Sequence, residues 1–217
     1  MFEMPLFPLK TVLFPGMPIQ LHIFEDRYKT MIRHCLNTNQ AFGVVLIRNG
    51  EEANSHLAKP HFIGCSARIL DIEPLEEGRM NIVALGQQRF RILSLSHEKP
   101  YLTGIVEQYP LDESDRQLLE AAGQRLVPWI NRYMRLLNKF TDINLDPKQL
   151  PEDWLVLAYL AAVLLQVPAV EKQKLLATKC AIDLLTDMRL IFRREIAFLQ
   201  SMIVGTGQQE NGFISLN

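Results

Sequence analysis

After Pro110 the apolar residues change period, and no other feature limits the fold of this chain so tightly. Downstream, Leu119, Ala122, Leu126, Trp129, Tyr133, Leu136 and Phe140 recur at alternating steps of three and four, which is one face of an α-helix. Upstream, apolar residues alternate with polar ones or form short runs between Pro and Gly, as strands and turns do. The chain therefore divides into a β-rich part, residues 1–113, and a helical part, residues 114–203, with 204–217 as a flexible tail. A length of 217 residues accommodates both.

In the first part, Pro5, Pro8, Pro15, Gly16 and Pro18 cut the opening into brief extended pieces. Residues 20–23 alternate and read as a half-buried strand. Glu25 and Asp26 place acidic groups at a helix start, and residues 27–36 carry Tyr28, Met31, Ile32 and Cys35 on one face. Residues 41–47 form an apolar strand buried on both sides. Residues 48–60 are a polar loop. Residues 64–73 pair through a turn at 76–78 with residues 79–85. Gly86 punctuates, and residues 89–95 place Arg89 and Arg91 outward with Phe90 and Ile92 inward. Residues 101–109 are the last strand. Gly43, Gly64 and Gly86 suit close approach in a small barrel, with Phe24, Phe90 and Ile92 filling it.

In the second part, Pro128 predicts a kink in the first helix. Residues 151–167 form a helix apolar on nearly all sides. Its uncharged run, residues 154–167, is shorter than the roughly 17–25 residues that span a bilayer, so it reads as a core helix. Pro168 opens a short third helix, and Thr178 caps a fourth over residues 180–203. This last helix carries two apolar stripes, Leu185, Met188, Phe192, Ile196, Leu199 and Ile203 beside Leu184, Ile191, Phe198 and Met202. Two stripes exceed what one core face uses. Burial in the bundle, a second copy of the chain, or an unfolded client would each absorb the surplus.

Charge and cysteine usage narrow the function classes. The net charge is −1, with −2 in residues 1–113 and +1 in residues 114–217, so neither half has the cationic excess of a polyanion binder. The basic ridge Arg89/Arg91, with Arg68 and Arg79, is offset by Glu73, Glu76 and Glu77. Cys35, Cys65 and Cys180 are odd in number and lack a CxxC, which favours a reducing compartment. Residues 1–10 lack a signal-peptide pattern, and a cytoplasmic location is expected.

The search for chemistry ends in exclusions. There is no GxxxxGK[ST], GxSxG or HExxH motif. His34 and Cys35 are adjacent on a helix and diverge by about 100°. His56, His61 and Cys65 match no zinc spacing and lack a fourth ligand, so no metal or cofactor is expected. His22 reads as a hydrogen-bonded structural histidine, and the pairs Glu51/Glu52 and Glu76/Glu77 as solvated loop residues.

The run Leu6-Phe7-Pro8-Leu9, Val12-Leu13-Phe14-Pro15-Gly16 and Leu21-His22-Ile23-Phe24-Glu25-x-Arg27-Tyr28 resembles the opening of the Lon substrate-binding domain. The likeness continues through Phe42-Gly43-Val44-Val45-Leu46, Gly64-x-x-Ala67-x-Ile69, Gly78-Arg79-x-Asn81-Ile82, Gly86-x-x-Arg89-Phe90-Arg91-Ile92 and Pro100-Tyr101-Leu102. It resumes at Glu171-Lys172-Gln173-x-Leu175-Leu176 and Asp187-x-Arg189-Leu190. Cys65-Ser66 departs from the family's usual Thr-Val. The resemblance implies an α+β protein, a PUA-like mixed β pseudo-barrel followed by a C-terminal α-helical bundle. It implies recognition of unfolded or exposed-hydrophobic polypeptide segments, or of a partner protein such as a protease or chaperone, and no catalysis. The family's ATPase and Ser–Lys protease domains have no counterpart up to Asn217. Apolar side chains interleaved with charges mark two candidate contact surfaces, Phe24, Glu25, Arg27, Tyr28 and Met31 at the first helix, and Phe192, Phe198 and Met202 on the last. RNA binding is the alternative, since PUA-like barrels in other families contact RNA, and charge balance weighs against it. No membrane partner is expected, and self-association is compatible with the apolar surplus.

Overall fold

The structure, a computed structural model, describes residues 1–49, 59–139 and 150–210. It is an α+β fold. Seven strands come first: β1 (Phe2–Leu9), β2 (Pro18–Ile23), β3 (Phe42–Asn49), β4 (Lys59–Pro60), β5 (Ile63–Pro74), β6 (Met80–Ser96) and β7 (Thr103–Gln108), with α1 (Asp26–Thr38) between β2 and β3. The helices α2 (Arg116–Leu137), α3 (Trp154–Leu164), α4 (Ala169–Ala177) and α5 (Ala181–Glu210) follow. Downstream of the change of period the described elements are all helices, while upstream α1 lies among the strands.

Strand order is β1-β7-β6-β5-β3, and β3 returns to pair with β1, so five strands close into a ring. The closing pair is parallel, Leu6 opposite Gly43 through Leu9 opposite Leu46. Closure leaves no free edge around the ring. β4 hangs on β3, and β2 joins the N-terminal half of β6 from outside the ring. The prolines at positions 5 and 8 do not break the opening. β1 is one strand of eight residues whose first half pairs with β7 and whose second half pairs with β3.

Phe90 and Ile92 fill one interior cluster with Met4, Leu6, Val45, Leu102 and Val106. A Cβ on Gly43 or Gly64 would sit 2.5 or 2.6 Å from the Phe90 ring, so both positions admit that ring only as glycine. A second cluster forms where Tyr28, Met31, Ile32 and Cys35 of α1 meet Phe7, Phe42, Met80 and Ile82. This is the α1 face that the three- and four-residue spacing predicts. Phe24, expected inside, is 59% exposed instead, because Ile23 takes the inward position at the end of β2.

Gly86 is not a strand end. β6 runs for 17 residues through it. The chain at residues 14–17 crosses over this point: Gly16 N donates to Gly86 O and Gly86 N donates to Met17 O, both at 2.9 Å. A Cβ on residue 86 would lie 2.2 Å from the Phe14 carbonyl oxygen. The glycine therefore marks a backbone crossing.

Contacts divide the chain into two compact units, Met1–Asp112 with Tyr159–Lys179, and Glu113–Ala158 with Cys180–Asn217. Periodicity locates one crossing, near residue 113; the contacts show two more, inside α3 and after Lys179. The physical reason lies in the first unit, where α4 packs on β5, its Gln173 side chain donates to Ile63 O of β5, and its Leu176 carbonyl accepts from Arg89 of β6. In the second unit, α2 and α5 pack together, with Tyr133 edge-on to Phe192 at 5.1 Å. Leu185, Met188, Phe192 and Ile196 line the buried face of α5.

Caps set the helix starts. Asp115 Oδ1 accepts from Leu118 N, and Asp153 Oδ1 accepts from Leu155 N and Val156 N, all at 2.9 Å. Thr178 does not open α5. Its hydroxyl donates to Lys174 O and its N–H to Leu175 O, which closes α4. Residues 204–210, expected in the flexible tail, continue α5 to Glu210. Phe140 lies outside the described residues.

Candidate functional site

The first candidate surface is the junction of β2 and α1. Glu25 is extended (φ −76°, ψ 135°) and its carbonyl accepts from Tyr28 N and Lys29 N, so it ends the strand and starts the helix. Its carboxylate pairs with Arg27 Nη2 at 2.6 Å, and the Arg27 guanidinium lies 4.6 Å from the centre of the Tyr28 ring. Tyr28 stacks on Phe7 at 4.0 Å and is buried, as is Met31. Of the five residues expected here, Tyr28 and Met31 are core, Glu25 and Arg27 are partly covered, and Phe24 is open.

Beside Phe24 runs a polar chain that the sequence does not single out. His22 Nδ1–H donates to Asn81 Oδ1 and Asn81 Nδ2 donates to Glu73 Oε2, each at 2.8 Å. The His22 ring stacks against Phe24 at 5.9 Å. The histidine is hydrogen-bonded, as its isolation on a strand suggests, yet it faces solvent.

The second surface lies on α5. Phe192 is fully buried, whereas Phe198 and Met202 are 59% and 50% exposed and Leu190 is 51% exposed. The first apolar stripe is therefore core as far as Ile196. The second leaves the core along its length: Leu184 is buried, Ile191 is partly covered, and Phe198 and Met202 are open.

The expected basic ridge does not form. Arg89 is buried, because α4 covers its side of β6. Its Nη1 donates to Leu176 O at 2.7 Å and Thr178 O at 2.6 Å, and its guanidinium lies 5.0 Å from the centre of the Tyr109 ring. Its Nε and Nη2 have no hydrogen-bond partner among the described residues. Burial lowers its pKa from the ordinary arginine value. The positive charge meets the carbonyl end of α4, where the helix dipole is negative. Arg91 pairs with Glu107 on the neighbouring strand, Nε to Oε1 at 2.7 Å.

Cys35 and Cys65 are covered. Burial raises the Cys35 thiol to about 11 and the Cys65 thiol to about 12, so neither is a nucleophile near neutrality. Among the described residues, no three His, Cys, Asp or Glu side chains come together as a metal site. His56 lies outside them. No helix among the described residues is long and apolar enough to cross a membrane.

The comparisons with known proteins agree on one family. Residues 3–190 match the ATP-dependent protease La (LON) substrate-binding domain. Lon protease 2 of Myxococcus xanthus is 28% identical over 207 residues, covering 92% of this chain and 25% of that protein. Lon protease of Anaeromyxobacter dehalogenans is 28% identical over 210 residues, covering 92% of this chain and 24% of that protein. The chain thus spans about a quarter of the length of the curated relatives it matches. Two solved structures share the fold. The Lon N-terminal domain protein from Xanthomonas campestris matches with TM-score 0.59 and 24% identity, covering 87% of this chain and 97% of that one. The N-terminal domain of Mycobacterium avium complex Lon protease matches with TM-score 0.64 and 17% identity, covering 88% and 98%. With 188 of its residues inside the family match, this chain belongs to the Lon substrate-binding domain family.

Proposed function

We propose that this chain is a noncatalytic recognition module that binds unfolded or exposed-hydrophobic polypeptide segments, or a partner protein that displays them. The family match over residues 3–190 carries this reading. Its physical support is the apolar surface left open beside charged groups: Phe24 next to the Glu25–Arg27 pair, and Phe198 and Met202 on α5. An aromatic or thioether side chain held in water by a packed scaffold gains free energy when a partner covers it. Arg89 is buried and Arg91 is paired, which leaves the protein reading ahead of the RNA reading.

Fluorescence anisotropy tests this with two forms of one client, reduced S-carboxymethylated lactalbumin and native lactalbumin. Saturable binding of the unfolded form and none of the native form is the expected result. Equal, negligible binding of both overturns the proposal.

A further inference from the structure

We propose that the outer edge of β2 binds the client's main chain, taking up an extended polypeptide segment as an added strand. The inference rests on the recognition of unfolded polypeptide proposed above and names the surface and chemistry that perform it. Among the described residues, β2 pairs with β6 alone. A strand paired on one side presents a row of N–H and C=O groups on the other.

Proteins blunt such edges with bulges, charges, prolines or short length. The other one-sided stretches nearby carry those devices. β4 is two residues long, Lys59 and Pro60. The end of β5 has a register break between Ile69 and Asp71, the charges Asp71 and Glu73, and Pro74. The Asp71 carboxylate also takes up the Ile72 N–H at 2.9 Å. β2 carries fewer of these devices. Its six residues pair with β6 without a break, and none is Asp, Glu, Lys or Arg. Its only device is Pro18, at the first position.

The chemistry favours a client strand over other occupants. Main-chain hydrogen bonds read no side-chain sequence, which suits a module that accepts unfolded segments of many sequences. Exposed Phe24, with His22 stacked on it, stands at the C-terminal end of β2 and supplies an apolar anchor there. A symmetric antiparallel pairing of β2 with a second copy would set Pro18 opposite Ile23 at both ends, bringing a second proline into six pairs.

Hydrogen exchange of the full chain, with and without reduced S-carboxymethylated lactalbumin, reads the edge directly. Slowed exchange of residues 19–23 when the client is bound is the expected result. The variant Gln20→Lys/His22→Lys places charges on two exposed positions of β2. It is expected to weaken client binding roughly tenfold, with circular dichroism unchanged and the urea midpoint lowered only slightly by loss of the His22–Asn81 hydrogen bond. Binding of the client with no added protection in residues 19–23, or unchanged affinity of the folded double variant, overturns the edge proposal and leaves the recognition reading standing. Absence of any client binding overturns both. Protection that rises with protein concentration alone, with a doubled solution mass, assigns the edge to a second copy and overturns the proposal.

Discussion

At the scale of single residues, Arg89 shows how far a side chain's role depends on what covers it. Two-residue alternation places it outside the barrel, and α4 then lies over it, so an exposed cation becomes a buried clamp. Its donors satisfy two carbonyls at the end of α4 that have no partner inside the helix. Arg89→Ala leaves them unpaired and opens a void, and a loss of about 3 kcal/mol is expected in urea unfolding. Arg89→Lys, which keeps one donor group, recovers part of it. Cys35 makes the opposite case, since its place on the apolar face of α1 already foretells burial. In the folded protein Ellman's reagent is expected to modify Cys180 first, with Cys35 and Cys65 reacting only on unfolding. The same burial sets a pH dependence. The Cys65 thiol is raised from 9.0 to about 12, so its stabilisation is complete below 9. Above that the unfolded chain loses a proton that the folded chain keeps, and stability falls as pH rises towards 12. Cys65→Val is expected to flatten part of that slope in urea midpoints measured against pH.

At the scale of elements, periodicity identifies α1 and its buried face residue by residue, because a helix carries its own 3.6-residue repeat. On α5 it identifies both apolar stripes and cannot rank them, because a helix's length does not tell where its neighbour ends. The ranking is measurable. Phe192→Ala, in the core against Tyr133, is expected to cost about 4 kcal/mol in urea unfolding. Phe198→Ala, on the open stripe, is expected to change stability by less than about 0.5 kcal/mol. It is nonetheless expected to weaken binding of unfolded lactalbumin. The strands were less legible. Gly86 has the local signature of a turn, yet it sits inside β6 because residues 14–17 cross there. The edge of β2 has no local signature, since a strand paired on one side reads like one paired on both.

At the scale of the whole molecule, the chain leaves and re-enters its compact units, so a cut at the change of period does not reproduce either one. A fragment of residues 1–113 lacks Tyr159–Lys179, and with them the carbonyls that hold Arg89. Such a fragment is expected to unfold at lower urea than the intact chain and to bind the dye ANS in its absence. An equally stable, ANS-silent fragment would show that α4 adds nothing to the barrel. By itself the sequence determined the α+β class, the place where strands give way to helices, the family, and the apolar faces of α1 and α5. These are read from periods of 2 and 3.6 residues and from motifs, all carried within short stretches of chain. Only the tertiary structure decided that five strands close into a ring, that α4 packs on the barrel over Arg89, that Phe24 and Phe198 stay open while Tyr28 and Phe192 are core, and that β2 pairs, among the described residues, with β6 alone. Each of these depends on which distant segments meet, and no local repeat of residues encodes that.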